Sequence, residues 1–342
     1  MPPFLKPLNQ QTIVITGASS GIGLATALIA AQRGARVVLA ARNADALHHI
    51  AAQIGARGGH ALAVPTDVAH PDAVTALRDA ALARFGAIDT WVNDAAAATY
   101  GKFSDLLLSD HRQVFEIGYW GTVHGSMAFA EYARTRGGAL INVGSILGER
   151  SILLQGPYSA MKHAVHGFTE ALRTELEADG APISVTLNKP AAMNTPYPEH
   201  ARNRMNAPAR LPPVFYDPRL TASAILFAAG HPRRTMTVGR TGRMMASLAT
   251  LFPRATDLAM EAGGRAAQTT DSLPPPARAA NRYHAREDGA IEGRCRATCI
   301  GQADGSRCRC TPPRPRCSPE QRAAGGGALA LTHLAARRRL KA

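Results

Sequence analysis

Short apolar runs alternate with longer amphipathic stretches over the first two thirds of the chain. The runs at 12–16 (TIVIT) and 35–41 (ARVVLAA) contain β-branched and small apolar residues, a pattern typical of strands that are buried on both faces. Further strands are predicted at 60–65, 88–93, 139–143, 183–188 and 234–238. Strands that alternate with helical stretches of 10–20 residues indicate βαβ units. The sequence therefore predicts an α/β fold with a doubly wound parallel sheet.

The intervals between these runs predict helices. The helix after the first strand ends at Gly34, and others are predicted at 44–54, 71–85, about 109–136, about 158–179 and about 218–229. Residues 191–217 are rich in Pro, Asn and Arg and too irregular for a core element, so we expect them to form a lid over a site. From Met244 to Met260 apolar residues again recur at roughly helical spacing.

The composition changes abruptly towards the C-terminus. The net charge of the chain is +14, and residues 278–342 contribute +9 of it, because they hold 13 Arg and one Lys against five acidic residues. All five cysteines also lie there, at 295, 299, 308, 310 and 317. Triple-proline and triple-glycine runs make this segment low in complexity. We therefore expect one folded domain over 9–262 and a disordered Arg/Pro/Cys-containing extension over 263–342.

Several function classes are disfavoured by this composition. No run approaches the ~18 apolar residues of a membrane span, and the N-terminus lacks the apolar stretch of a signal peptide, so we expect a cytoplasmic protein. The cysteine spacing matches none of the usual zinc patterns, and no aromatic residues interleave the arginines, so we expect neither metal nor nucleic acid as a partner. An arginine-rich nucleic-acid arm, a zinc knuckle and a read-through or frame-shifted end are the alternatives for the extension.

A glycine-rich turn joins the first strand to the first helix. In Thr16–Gly23 (TGASSGIG) the glycines let the backbone approach a diphosphate closely, and the helix N-terminus offers N–H donors. The alternative is a flexible loop without a ligand. The turn predicts dinucleotide contacts by Gly17, Ser19, Ser20, Gly21, Ile22 and Gly23.

The end of the second strand bears on which dinucleotide is preferred. A site that prefers NAD places Asp or Glu here to accept a hydrogen bond from the ribose 2′-hydroxyl. Ala41 cannot do so, whereas the planar guanidinium of Arg42 can pair with a 2′-phosphate. A solvated arginine at a helix start is the alternative. The sequence therefore favours NADP(H) as the cofactor.

Three residues carry the candidate chemistry. Ser145 follows the fifth strand, and thirteen residues later Tyr158 and Lys162 stand at positions i and i+4, on one face of a helix. A free phenol has a pKa of about 10 and is a poor proton shuttle near neutrality, but a nearby ammonium lowers that pKa. Alone, this spacing is more typical of a core aromatic and a surface lysine.

Together with the glycine turn, these residues resemble the short-chain dehydrogenase/reductase family over roughly residues 9–240. Three further segments fit the family pattern: Asp67-Val68 as the adenine contact, Asn93 to Ala96 as the element after the fourth strand, and Lys189 to Thr195 as the segment that binds the nicotinamide carboxamide. The resemblance adds Asp67, Val68, Asn93, Ala95, Pro190 and Thr195 to the cofactor contacts, along with Tyr158 and Lys162. It implies a single Rossmann domain of about seven strands, and a homodimer or homotetramer assembled through the two long helices.

Four positions depart from the family pattern. Asp94, Ala96 and Ala191 replace an Asn and two glycines, and we expect these small changes to be tolerated. Gly118 stands where the family has a catalytic Asn, so the amide that helps to hold a proton-relay water must come from elsewhere.

The resemblance implies an oxidoreductase that transfers hydride between NADP(H) and a small-molecule carbonyl or secondary alcohol. Tyr158 is the expected general acid/base, Ser145 binds the substrate oxygen and Lys162 supports the phenolate. We expect the lid, together with Leu147, Ile152, Leu153 and Gln155, to shape an apolar pocket. Because Gly118 lacks the amide, a dinucleotide-binding sensor or scaffold without turnover is the alternative.

Overall fold

In the computed structural model, residues 3–269 and 288–293 are described, together with the backbone of 299–300 and 307–308. The chain divides into the units Met1–Cys308 and Arg309–Ala342, and every described residue belongs to the first. Most of the extension predicted from residue 263 lies outside the described residues, as do the cysteine side chains and the arginines of its C-terminal end. Its disorder stays a prediction.

A parallel sheet of seven strands forms the centre of the fold. Its strands are Thr12–Thr16 (β1), Arg36–Ala41 (β2), His60–Pro65 (β3), Thr90–Asn93 (β4), Gly138–Val143 (β6), Ile183–Pro190 (β7) and Thr235–Val238 (β10). Among the described residues, five two-residue strands lie outside this sheet: Thr99–Tyr100 (β5), Arg202–Asn203 (β8), Phe215–Tyr216 (β9), Cys299–Ile300 (β11) and Arg307–Cys308 (β12). The central sheet has the order β10-β7-β6-β4-β1-β2-β3. The short strand β5 pairs with β8, and β11 pairs with both β9 and β12. The predicted doubly wound sheet is confirmed.

Helices connect the strands and cover the sheet. They are Gly21–Gln32 (α1), Ala44–Gly55 (α2), Pro71–Phe85 (α3), Leu108–Phe115 (α4), Gly121–Ala133 (α5), Gly156–Ala178 (α6), Tyr197–His200 (α7), Pro218–Gly230 (α8), Arg240–Leu251 (α9) and Pro253–Gln268 (α10). Short 3₁₀ turns occur at Leu8–Gln10, Phe103–Asp105 and Ile146–Gly148. In the described part of the chain, none of the helices has the length and apolar character needed to cross a bilayer.

Two helix predictions differ from the structure. The continuous helix expected at 109–136 is divided into α4 and α5 by a wider π-helical turn, Glu116–Trp120. The helical spacing from Met244 to Met260 belongs to two helices, because Pro253 lacks the N–H that a helix interior needs and instead stands at the first position of α10.

Alternate residues of the strands pack on opposite faces of the sheet. Ile13 and Ile15 of β1 pack with apolar residues of α1, α2 and α8, whereas Val14 packs with apolar residues of α3, α5 and α6, including Phe129. Because all the strands run in one direction, their carboxyl ends meet along a single edge of the sheet, where ligands of such folds bind.

The ordered body extends beyond the boundary predicted at residue 262. Helix α10 continues to Gln268, whose buried side chain donates to the Leu153 carbonyl oxygen at 2.8 Å. Gly264 packs closely against Leu153 and Met260, and a Cβ on Gly264 would lie 3.2 Å from Leu153 Cδ1 and 3.1 Å from Met260 Sδ. The helix therefore continues through the glycines at 263–264, and its last turn packs against Leu153.

A buried polar network ties the centre of the sheet to one layer of helices. The side-chain amide of Asn93 donates to Asn142 Oδ1 at 2.9 Å and to Ser126 Oγ at 3.1 Å. Asn142 donates in turn to Thr169 Oγ1 at 3.0 Å, and the Trp91 indole N–H donates to Asn93 Oδ1 at 2.8 Å. These bonds connect β4 and β6 to α5 and α6, so they fix the two strand ends that bear site residues.

Gly125→Ala tests how tightly this network is packed. A Cβ at Gly125 would lie 2.1 Å from Asn93 Oδ1, and Asn93 cannot turn away without losing buried hydrogen bonds. We expect the free energy of unfolding to fall by about 2–3 kcal/mol, measured by urea denaturation.

Gly167→Ala is the matched control. Gly167 lies in α6 with no described atom outside its own helix within 4 Å, so the substitution should leave stability unchanged or raise it by up to about 1 kcal/mol. Equal stabilities of the two variants would contradict the packing argument.

Candidate active site

The turn between β1 and α1 brings backbone against backbone. Gly17 and Gly21 have positive φ angles of 72° and 55°, which disfavour residues with a Cβ. A Cβ on Gly23 would lie 2.3 Å from the Gly17 carbonyl oxygen, so α1 starts directly above the turn only because Gly23 has no side chain. The N–H groups of the first turn of α1 thereby face the carboxyl edge of the sheet.

A polar cavity of about 200 Å³ runs along this edge. The predicted cofactor residues around it are Gly17, Ser19, Ser20, Gly21, Ile22, Arg42, Asp67, Val68, Ala95, Tyr158, Lys162, Pro190 and Thr195. Gly23 and Asn93, also predicted as contacts, are not in the lining. Gly23 contributes by its lack of a side chain, which lets α1 cross closely over the turn. The Asn93 amide belongs to the network that joins β4 to β6.

One end of the cavity is formed by the ends of β2 and β3. Arg42 lines the cavity beside Ala41, whereas the next residue, Asn43, caps α2 by accepting the Ala46 N–H at 3.0 Å. Asp67 accepts the Ala69 N–H at 3.1 Å, which fixes the loop after β3. This end therefore presents one guanidinium and no carboxylate at the end of β2.

Ser145, Tyr158 and Lys162 meet at the other end. Ser145 Oγ accepts the Leu147 N–H at 3.1 Å, and Ser145 lies close enough to Tyr158 to lower the pKa of its phenol. Lys162 is buried and donates to the Val143 carbonyl oxygen at 2.7 Å, so its Nζ lies 5.7 Å from the centre of the Tyr158 ring. The end of β6 thus positions all three groups. Ser145 follows this strand, and the Lys162 bond to Val143 fixes α6, which carries Tyr158 and Lys162.

Burial keeps the Tyr158 phenol protonated. Burial raises the pKa of Tyr158, the hydrogen bond with Ser145 lowers it, and the negative charge of Asp94 raises it again. Burial lowers the pKa of Lys162 to about 8, against the opposing effect of the Asp94 carboxylate. A protonated phenol is the form that can donate to a carbonyl oxygen.

Asp94 joins this cluster from the end of β4. The residue lines the polar cavity, and Asp94 Oδ2 lies 2.9 Å from the position of a Cβ on Gly23, beside the start of α1. Burial raises the pKa of Asp94 to about 7, while the charge of Lys162 and the Gly23 hydrogen bond lower it. From the sequence we expect Asp94 to be a tolerated replacement of Asn. In the structure Asp94 also adds a titratable group beside the candidate catalytic residue Lys162.

Gly118 lies on the π-helical turn with its side-chain space already filled. A Cβ there would lie 2.5 Å from Met161 Cε and 2.6 Å from Met161 Sδ, and Met161 is fully buried. The Gly118 carbonyl oxygen accepts the Thr122 hydroxyl at 2.8 Å. The volume that an Asn amide would need is therefore occupied by a thioether.

A second cavity, about 390 Å³ and mainly apolar, opens on the other side of Tyr158. Ser145 and three residues predicted for an apolar pocket, Leu147, Ile152 and Gln155, line it, whereas the Leu153 side chain is largely exposed. The rest of the lining is mostly apolar and comes from the predicted lid and from α9 and α10, and includes Met193, Leu211, Pro212, Pro213, Val214, Met245, Met260 and Ala267.

A chain of hydrogen bonds crosses the floor of this apolar cavity. The Tyr197 hydroxyl donates to Gln155 Oε1 at 2.7 Å, and Gln155 Nε2 donates to Gln268 Oε1 at 2.7 Å. The rings of Tyr197 and Tyr158 are edge to face, with centroids 5.2 Å apart. The end of α10 is therefore linked to the wall beside the candidate catalytic tyrosine.

Sequence reasoning missed several residues that line the polar cavity. His200 and Asp288 are among them, and the Asp288 side chain is only 5% exposed. Asp288 belongs to the segment at 288–293, which packs on the glycine turn although it follows the low-complexity stretch. The sequence around Asp288 could not predict this contact, because the neighbouring residues are neither strongly apolar nor periodic.

Comparison with known proteins agrees with this geometry. Residues 11–206 match the family model for the short chain dehydrogenases. The chain is 46% identical over 260 residues to an uncharacterized oxidoreductase of Bacillus subtilis, YxnA, covering 75% of this chain and 73% of that protein. It is 31% identical over 226 residues to the putative oxidoreductase SadH of Mycobacterium tuberculosis, covering 66% and 82% of the two chains.

Solved structures show the same fold. A short-chain dehydrogenase/reductase from Burkholderia phymatum in complex with NAD superposes with a TM-score of 0.63 at 26% identity, covering 79% of this chain and all of that chain. An alcohol dehydrogenase from Thermococcus sibiricus gives a TM-score of 0.59 at 23% identity, covering 67% and 94%, and this likeness shows the fold alone. From the matched residues and the relatives, the chain belongs to the short-chain dehydrogenase/reductase family of oxidoreductases.

Proposed function

We propose that the protein transfers hydride between NADP(H) and a bulky, largely apolar carbonyl compound or secondary alcohol. The observation that carries the proposal is the position of Tyr158, which lines both the polar cavity and the apolar cavity. A proton donor at the junction of a polar cavity bordered by the glycine turn and an apolar pocket is placed to act on a substrate oxygen next to a bound nicotinamide.

The residues around the polar cavity fit a nicotinamide dinucleotide. A Cβ at Gly17 would press on the Ala95 backbone, and a Cβ at Gly23 would overlap the Gly17 carbonyl, so only glycines allow the compact turn that a diphosphate-binding site needs. Arg42 beside Ala41 supports a 2′-phosphate at the adenosine end, and Lys162 and Thr195 lie at the nicotinamide end. The Burkholderia neighbour was solved with NAD, so the preference for NADP(H) rests on residues 41 and 42.

Each residue of the catalytic cluster has a distinct part in the proposed reaction. The hydride comes from, or returns to, the nicotinamide when the cofactor is bound. Tyr158 donates a proton to the substrate oxygen in reduction and accepts it in oxidation. Ser145 donates a hydrogen bond to the same oxygen, and the Lys162 ammonium stabilises the phenolate that forms when the proton leaves. These roles are proposals for this chain.

The apolar cavity indicates the substrate class. With about 390 Å³ and mostly aliphatic and thioether walls, it suits a ring system or long aliphatic group that carries one carbonyl or hydroxyl. Methionines at 193, 245 and 260 can adjust to differently shaped groups. We therefore propose hydrophobic ketones, aldehydes and the matching alcohols rather than small polar acids.

Self-association belongs to the same proposal. Trp120 and Met127 are large apolar residues that stay 44% and 53% exposed in the π-helical turn and α5. Such residues suit the helix-to-helix contact of a homodimer or homotetramer formed through α5 and α6.

The cofactor preference follows from residues 41 and 42. NADPH should bind much more tightly than NADH, because Arg42 pairs with the 2′-phosphate and Ala41 offers nothing to a ribose diol. Ala41→Asp combined with Arg42→Ile should reverse the order, since a carboxylate accepts from the diol and repels the phosphate. Fluorescence titration of the two nucleotides measures both affinities. Equal affinity of the parent protein for both would contradict the assignment.

Tyr158→Phe tests the proposed reaction itself. With a hydrophobic ketone found by screening NADPH oxidation, the rate should fall by about 10²–10⁴-fold while NADPH affinity stays nearly unchanged, because only the hydroxyl is lost. Tyr132→Phe on α5 is the control; its hydroxyl accepts the Ile88 N–H, and the residue lies in neither cavity. The control should keep the parent rate.

The screen also separates the enzyme from the alternative function. A parent protein that binds NADPH but turns over no ketone, aldehyde, quinone or matching alcohol would favour a sensor or scaffold. Loss of NADPH binding in Tyr158→Phe would instead show that the tyrosine holds the cofactor, and the assigned proton transfer would lack support.

Asp94 predicts a pH-dependent stability. The pKa of Asp94 is about 7 in the folded protein and near 3.8 in the unfolded chain, so between about pH 4 and pH 7 the unfolded state releases the proton first. Rising pH therefore destabilises the parent relative to the Asp94→Asn variant, and the difference is complete above pH 7. Thermal unfolding from pH 4.5 to 8.5 should give similar Tm values at the acid end and a higher Tm for the variant at pH 8.

Asp79→Asn is the control for this comparison. Asp79 is exposed on α3, so its substitution should change the Tm little and by a similar amount at every pH. A Tm difference for Asp94→Asn that stays constant with pH would contradict the raised pKa.

A further inference from the structure

Residues 288–293, here called the C-terminal strap, lie across the glycine turn. The Gly289 N–H donates to the Ser19 carbonyl oxygen at 2.8 Å, and the Gly21 N–H donates to the Ala290 carbonyl oxygen at 2.9 Å. The two bonds flank Ser20, at the point where β1 passes into α1. The strap is therefore joined by its backbone to the part of the chain that is shaped for a diphosphate.

The strap also contacts the segment after β7. The Gly293 N–H donates to the Asn194 carbonyl oxygen at 3.2 Å, and a Cβ at Gly293 would lie only 2.5 Å from the Thr195 carbonyl oxygen. Thr195 lines both cavities and lies 3.3 Å from the position of a Cβ on Gly21. One short peptide thus contacts both segments that border the polar cavity on this side.

Side chains fix the strap in this position. Glu292 forms an ion pair with Arg219 of α8 at 2.5 Å, and Ile291 packs on the apolar core between the sheet and the α1–α2–α8 layer. A charged contact and an apolar contact on neighbouring residues specify the register of the strap. A peptide that only rested on the surface would need neither.

The strap also places a carboxylate, Asp288, at the polar cavity. Its side chain is 5% exposed and lines the polar cavity, with the His200 imidazole 3.6 Å away. The oxygen that faces His200 Nε2, Oδ1, is buried, and at 3.6 Å it is too far from that nitrogen for a hydrogen bond and has no other hydrogen-bond partner among the described residues. A buried acceptor is costly unless a donor meets it, and the sugar hydroxyls of a dinucleotide are donors.

We infer that the C-terminal strap is part of the dinucleotide site, where Asp288 accepts a hydrogen bond from a ribose hydroxyl and the strap slows release of the bound cofactor. The inference rests on the proposed dinucleotide binding and extends it to residues beyond the Rossmann core. To leave, a dinucleotide held between the glycine turn and Thr195 must pass a strap that is fastened to both.

Two substitutions in the full-length chain loosen the strap at residues that do not themselves line either cavity. Gly293→Ala puts a methyl group against the Thr195 carbonyl, and Glu292→Arg replaces attraction to Arg219 by repulsion. Each should raise the dissociation rate of NADPH about 5- to 15-fold, the equivalent of one or two hydrogen bonds, with little change in the association rate. Stopped-flow displacement of the bound nucleotide measures both rates.

Helix α10 offers matched controls for both changes. Gly263→Ala adds the same methyl group where no described atom outside its own helix lies within 4 Å, and Glu261→Arg makes the same charge change in the exposed pair with Arg254. Both controls should keep the parent rates within twofold. Circular dichroism and Tm measurements show that each variant is folded.

Asp288 variants test the proposed ligand contact. Asp288→Ala removes the acceptor and should weaken NADPH binding about 5- to 15-fold, whereas Asp288→Asn keeps an acceptor oxygen and should stay within about threefold of the parent. Unchanged dissociation in all strap variants would overturn the inference. Tighter binding in them would overturn it too, because the strap would then compete with the nucleotide. A parent protein that binds no nicotinamide dinucleotide would instead refute the proposed function.

Discussion

The site depends on one close crossing of backbone, where the start of α1 passes directly over the end of β1. A Cβ on Gly23 would overlap the Gly17 carbonyl oxygen, and a Cβ on Gly17 would lie 3.0 Å from the backbone of Ala95. Because neither glycine has a side chain, α1, the turn and the chain after β4 meet at one point. Asp94 Oδ2 lies 2.9 Å from the position of that Cβ on Gly23, so the first helix and the fourth strand share one edge of the polar cavity.

Buried hydrogen bonds link this crossing to the candidate catalytic cluster of Ser145, Tyr158 and Lys162. The Asn93–Asn142 bond fixes β4 beside β6, and the Lys162 bond to the Val143 carbonyl fixes α6 on the end of β6. Asp94 and Ser145 follow these two strands directly, so their separation is set by the register of the sheet and not by loop conformation. Asp94 and Lys162 are both buried there; burial raises the pKa of the carboxyl and lowers that of the ammonium, and the mutual attraction of the two charges offsets each shift only in part.

Local patterns in the sequence sufficed for the sheet and for much of the candidate site. Buried strands read as short β-branched runs, and the glycine turn and the Tyr158–Lys162 spacing mark places where the backbone or the chemistry allows few residue types. The break at Glu116–Trp120 could not be predicted, because it accompanies the packing of Gly118 against Met161, more than 40 residues away in the chain. Only long-range contacts show that α10 continues to Gln268.

The candidate catalytic residues and the segments that cover the cavities come from different parts of the chain. The residues proposed for proton transfer and for dinucleotide contact in the Rossmann core end at Thr195, inside the segment 11–206 that matches the family. One wall of the apolar cavity comes from α9 and α10, and the strap over the polar cavity comes from residues 288–293. A parallel sheet leaves its carboxyl edge open, so each cavity needs a cover that the βαβ units do not supply. If the proposed function holds, we therefore expect substitutions after residue 206 to change substrate choice and cofactor retention while the candidate proton-transfer residues stay in place.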